Sequence, residues 1–120
     1  MEHESKTLDK VLKTLLVGKE LSSVVFIHDY LQFHSEGGSW DFSAYTHPIV
    51  AVHGKKYSRG TAGYRDALCE RIGTVVESVR ADEQDVMIKF KDNTSFSISL
   101  RAEDHIGPEA MEFTDADGQI

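Results

Sequence analysis

Histidines are the first residues here whose type and spacing could do chemistry. His28 and His34 stand six apart, as do His47 and His53. An even separation puts two imidazoles on one face of a strand, where they can share a metal ion. Both pairs span a bend, however, and a bend undoes that parity. No H-x-E-x-H, H-E-x-x-H or CxxC spacing occurs. The histidines are read as polar strand ends and loops, and no metal or other cofactor is expected.

Cys69 is the single cysteine, so no intrachain disulfide can form. As a nucleophile it would need a histidine and an acid beside it. It follows Leu68 and precedes Ile72 by three, bordering an apolar stripe, and free cysteine behaves most often as a small buried hydrophobe. The expectation is a mostly buried thiol with no histidine in reach. No catalytic residue is assigned.

Two charged groups remain. Lys55, Lys56, Arg59 and Arg65 make the one locally basic stretch, around the loop Arg59-Gly60-Thr61-Ala62-Gly63 that enters a helix. Amides at such an entry can hold an anion, but the loop lacks G-x-x-x-x-G-K-S/T, so a flexible loop is the simpler reading. After Arg101 there is no lysine or arginine, while Glu103, Asp104, Glu109, Glu112, Asp115 and Asp117 supply six acids. These six are the candidate contacts for a basic protein partner, whose approach they would speed. Ser95, Ser97 and Ser99 alternate as a solvated sheet face would. Trp40, Tyr30, Tyr45 and Tyr57 gather in the first half, with Trp40 read as core.

The elements that must position these groups are legible from hydropathy. Leu8, Val11, Leu12, Leu15 and Leu16 fall on one stripe of a helix ended by Gly18. Leu21 to Ile27 reads as a strand, His28-Asp29 as a bend, and Tyr30 to His34 as the return. Trp40, Phe42 and Ala44 alternate on a third strand, and Ile49 to Val52 forms a fourth. A second helix follows, with Thr61 as N-cap, Tyr64, Ala67, Leu68 and Ile72 as its stripe, and Gly73 as its stop. Strands at Val75–Val79 and Val86–Phe90 come next. Asp92-Asn93 then turns the chain into Phe96, Ile98 and Leu100. Only Gln119 and Ile120 follow Asp115-Ala116-Asp117-Gly118, so the end of the sequence reads as a loose tail or as stopping short of the natural terminus.

Residues 8–45 and 64–100 resemble each other at a spacing of 55 to 57. Leu8, Leu12 and Leu16 fall on Tyr64, Leu68 and Ile72, and Gly18 falls on Gly73. Leu31 and Phe33 match Ile88 and Phe90, while Trp40, Phe42 and Ala44 match Phe96, Ile98 and Leu100. A lone unit of this size buries too little surface to be stable, so the halves should share one core. The acidic segment 102–120 has no counterpart.

Composition bounds the function. The chain has 120 residues, one ordinary domain. Thirteen lysines and arginines against 20 acids give a net charge of −7, which repels phosphate backbones and anionic membranes. No apolar run is longer than the four residues of Val24–Ile27, far too short to span a bilayer. The acidic start Met1-Glu2-His3-Glu4 lacks the order of a signal peptide, and a cytoplasmic setting is expected.

Gly63-Tyr64-Arg65-Asp66-Ala67-Leu68-Cys69-Glu70-Arg71-Ile72-Gly73, with Ser99-Leu100-Arg101-Ala102-Glu103-Asp104 and Gly107-Pro108-Glu109-Ala110, resembles a family of small bacterial proteins without an assigned activity. That resemblance implies no catalytic residues. The chain is also similar in type, though not in any motif, to toxin-immunity proteins. The expectation is an α+β domain, with a mainly antiparallel β-sheet and two amphipathic helices, acting as a non-enzymatic protein-binding module of immunity type. The alternative is a small-ligand or metal-binding domain that hydrolyses its substrate using histidines.

Overall fold

The computed structural model describes residues 2–28, 30–35, 40–101 and 111–115, with side chains for 9–28, 30–35 and 41–101. In chain order the elements are α1 (Glu2–Leu16), β1 (Leu21–Ile27), β2 (Tyr30–Ser35), β3 (Trp40–Ala44), β4 (Ile49–Val52), β5 (Lys55–Tyr57), α2 (Tyr64–Cys69), β6 (Val76–Ala81), β7 (Asp85–Phe90), β8 (Ser95–Ser99) and β9 (Met111–Asp115). The fold is α+β, and the strands pair antiparallel throughout the named ladders. Where one sheet was expected there are two, ordered β1-β2-β3-β9 and β5-β4-β8-β7-β6.

Local chemistry explains most of these elements. Leu12 and Leu16 of α1 are fully buried, as their stripe demands. On β7 and β8 every second residue points inward: Val86, Ile88, Phe90, then Phe96 and Ile98. Asn93 takes the left-handed conformation at φ 69°, and Asp92 Oδ1 accepts the Thr94 amide at 3.1 Å, closing that hairpin. His53 and Gly54 both have positive φ between the paired Val52 and Lys55. That is the turn a two-residue hairpin favours, and it creates β5, a strand too short and too basic to show in the hydropathy pattern.

The chain exchanges strands between its halves. β1, β2 and β3 form a meander, as do β6, β7 and β8. Yet β4, which follows β3, joins the second meander beside β8, and β9, which follows β8, joins the first beside β3. The two sheets share one core, with the rings of Phe33 and Phe96 5.2 Å apart across it. Helices cross over as well: α1 packs on β6, and α2 touches β1 and β4.

Hydrogen bonds at the junction are reciprocal. The Gly18 amide donates to Val76 O and the Gly73 amide to Leu21 O; the Leu21 amide donates to Thr74 O and the Val76 amide to Lys19 O, all at 2.8–2.9 Å. The Glu20–Val75 bridge lies at their centre. Both meanders carry a register shift at the same place, Leu21/Ser23 in one and Val76/Ser78 in the other.

This register revises the matches read from sequence. Val24 faces Phe33 as Val79 faces Ile88, and Phe33 faces Phe42 as Ile88 faces Phe96. Laid over each other by this pairing, the two meanders put Phe33 at the place of Ile88 rather than Phe90, and Phe42 at that of Phe96 rather than Ile98. The slip is two residues, which preserves parity; Leu31, Phe33, Phe42, Ile88, Phe90 and Ile98 are accordingly all buried.

Helix α2 departs furthest from expectation. It begins at Tyr64 after Gly63, whose left-handed φ of 87° serves as the cap without any side-chain bond. Thr61 instead bonds the Ser58 amide and hydroxyl. The helix ends at Cys69, and a turn carries Ile72 outward to 43% exposure while Arg71 is buried in its place. The same early stop leaves Cys69 exposed, correcting the buried thiol expected from its place beside Leu68.

Candidate functional site

β1 lies at the edge of its sheet, and edge strands present unpaired amides and carbonyls to any passing chain. The usual defence is charge. β5 carries Lys55 and Lys56, β6 carries Glu77 and Arg80, and β9 carries Glu112 and Asp115. β1, Leu21-Ser22-Ser23-Val24-Val25-Phe26-Ile27, carries none. Its Val25, Phe26 and Ile27 are exposed at 37%, 41% and 36%.

The exposure of Phe26 has a definite cause. Directly paired residues project to the same face, and Phe26 pairs with the buried Leu31. Its ring therefore points to the core side of the sheet, where nothing of the helix layer covers it fully. The corresponding residue of the second meander is Ala81, paired with Val86 and only 7% exposed. There α1, already running from Glu2, lies across the strand and Asp9 Oδ1 accepts the Ala81 amide at 2.8 Å. Counted back from Gly18 and Gly73, which make the reciprocal junction bonds, the position at the place of Asp9 is Tyr64, one residue away from the Leu8 match read from sequence, and there α2 has only begun. A cleft of about 790 Å³ remains beside Phe26.

The wall of this cleft is the loop before α2. Gly63 sits against Tyr57, and the Tyr64 hydroxyl donates to Pro48 O at 2.5 Å, fixing the start of the helix to the entry of β4. Burial pushes the Tyr64 hydroxyl well above its ordinary pKa, so it stays a donor at any physiological pH. Arg59 and Arg65 line the cleft together with His28, His47, Asp66, Phe26 and Ile27. The Arg65 guanidinium lies 5.9 Å from the centre of the Phe26 ring.

Of the four basic residues read as an anion site, the fold brings Arg59 and Arg65 to the cleft and not the other two. The Lys55 ammonium sits 5.0 Å over the Tyr57 ring, and Lys56 is exposed on β5. α2, with six residues, is also too short to supply a helix-end site of its own.

The histidines regroup too. His34 Nδ1 lies 2.7 Å from Asp41 Oδ1 across β2 and β3, and His53 occupies the β4–β5 turn. His28 and His47, from different sequence pairs, both line the cleft instead. Parity within a strand could not reveal that, because loops of two different connections bring them there. Among the described residues no three His, Cys, Asp or Glu side chains gather as a metal site would require.

The acidic candidates divide. Glu112 and Asp115 belong to β9, paired opposite Ser43 and Trp40, so this part of the presumed tail is a sheet strand. Glu103, Asp104, Glu109 and Asp117 lie outside the described residues. Sequence reasoning missed Phe26, although its signal was present: an apolar strand without a single charge.

No family model, curated protein or solved structure matches the chain.

Proposed function

We propose that this is a non-enzymatic protein-binding module whose contact surface is the edge of β1. One observation carries the reading: an edge strand without charges leaves three large apolar side chains exposed beside an open cleft. Natural sheets blunt such edges unless another chain is meant to pair there. The net charge of −7 argues against nucleic acid as that partner. No described helix is long and apolar enough to cross a membrane.

The test is a binding comparison between the wild-type protein and Val25→Lys, which places a charge on the edge. Partner capture and its measured affinity should fall with the variant while the unfolding temperature is kept. Equal capture by both proteins would overturn the role of β1. The immunity-type form of the reading, with a basic partner, rests on the net charge and on the acids between 103 and 117, independently of β1. It expects affinity to fall steeply with salt.

A second reading, a small-ligand domain, is favoured by the cleft itself, whose volume suits a small organic anion and whose wall carries two arginines. A thermal-shift screen with carboxylates and phosphates tests it. No metal-holding group among the described residues supports a metal-assisted hydrolytic form of that reading.

We further read the two halves as copies of one helix–meander–strand unit. The reciprocal junction bonds and the shared register shift support this.

A further inference from the structure

The second half of the molecule shows what the first half lacks. At the end of β6, the Ala81 amide points away from β7 and is bonded by the Asp9 carboxylate, which Lys13 holds at 2.7 Å. Beyond that pair the ladder closes with Asp82 and Asp85, the Asp82 amide donating to Asp85 O at 3.0 Å. At the end of β1 the same register holds: Phe26 pairs with Leu31 and the next pair is Ile27 with Tyr30. Bonded and non-bonded pairs alternate in an antiparallel ladder, so the Phe26 amide also points off the edge. The residue at the place of Asp9, counted from Gly73 as Asp9 is from Gly18, is Tyr64, whose hydroxyl donates to Pro48 O instead. In place of the Asp9–Lys13 pair there is an open cleft with Arg59 and Arg65 on its wall. Asp66 is the one described acid on that wall, leaving a cationic excess in a chain of net charge −7.

We propose that an extended acidic segment of another protein docks here, adding to β1 as a strand and setting one carboxylate against the Phe26 amide between Arg59 and Arg65. This rests on the protein-binding reading above and names its ligand chemistry. The carboxylate completes at β1 the bond that Asp9 makes at β6. Both arginines can then donate to it, and charge-assisted bonds of that kind are the strong ones. Apolar side chains of the segment cover Phe26 on the core side, where helix packing leaves it open, and Val25 and Ile27 on the opposite face of the strand. Main-chain pairing along β1 supplies affinity, and the acid fixes register.

The probe is a displayed library of random heptapeptides, selected against the intact chain and re-measured as synthetic peptides by fluorescence anisotropy. The expected result is enrichment of Asp or Glu at one position, flanked by β-branched or aromatic residues. Replacing that acid by its amide should weaken binding about tenfold or more. The Arg59→Gln/Arg65→Gln double variant should bind the acid and amide peptides alike, and in NMR titration the Phe26 amide should shift only with the acid peptide. The two arginines are exposed, so this variant should fold; its unfolding temperature is checked alongside. Peptides that bind β1, by loss with Val25→Lys, but show no acid preference would overturn the proposal and leave the binding-module reading standing. Self-association of the chain through β1, abolished by Val25→Lys in sedimentation, would replace the proposed ligand with a second copy. A monomer that selects no peptide would overturn both.

Discussion

At the scale of single residues, Asp9 and Cys69 show how one neighbour decides a role. The hydrogen bond from Lys13, then that from the Ala81 amide, holds the Asp9 carboxyl below its ordinary value of 3.8. A carboxyl whose pKa is depressed on folding stabilises the fold above its unfolded value. That contribution is lost as pH falls through the depressed folded value. Asp9→Asn should therefore cost about 1 kcal/mol near neutrality and flatten the acid limb of stability, measured by urea unfolding between about pH 2 and pH 6. Cys69 is exposed because α2 stops under it. It should react stoichiometrically with a thiol reagent in the native protein, and Cys69→Ser should change stability by less than about 0.5 kcal/mol. A thiol that reacts only on unfolding would contradict the early helix stop.

Among the elements, the short connection before α2 governs the cleft. Gly63 has φ 87°, and a Cβ there would meet Tyr57 at 3.3 Å; Gly18 has φ 84° with open space around it. Both glycine-to-alanine changes carry the left-handed penalty of about 1–2 kcal/mol. Gly63→Ala should lower the melting temperature further than Gly18→Ala, because Tyr57 must also move, and it should disturb any ligand of the cleft. Equal losses would mean that Tyr57 yields without cost. The element sequence was largely readable here: the leucine stripe of α1, the alternation on β7 and β8, and the glycine stops at 18 and 73 are set by neighbours a few residues away. β5 and β9 were not. β5 follows from a turn with two positive φ angles, and β9 is a run of acids and apolar residues that becomes a strand only against β3.

For the whole molecule, the exchange of β4 and β9 means that neither half owns a complete sheet. β4 leaves the first half to pair with β8, and β9 leaves the second to pair with β3. Fragments 1–60 and 61–120 should each lack cooperative unfolding by circular dichroism. Mixed, they should recover it, since the junction bonds and the shared core are contacts between them. A fragment that melts cooperatively on its own would show that one meander suffices.

What the sequence determined by itself is local and periodic. Side-chain parity on a strand and the stripe on a helix depend on spacing alone, so which residues face inward was legible at Phe33, Phe42, Ile88, Phe96 and Ile98 even where the matches between halves slipped by two. It also determined the missing charge on β1, which is a property of seven consecutive letters. Tertiary structure alone decided which strand leaves its own half and which helix covers which edge. It also decided which histidines and arginines line the cleft beside Phe26. Those outcomes depend on contacts between residues far apart in the chain, such as Asp9 with Ala81 or Arg65 with Phe26, and no local spacing encodes them.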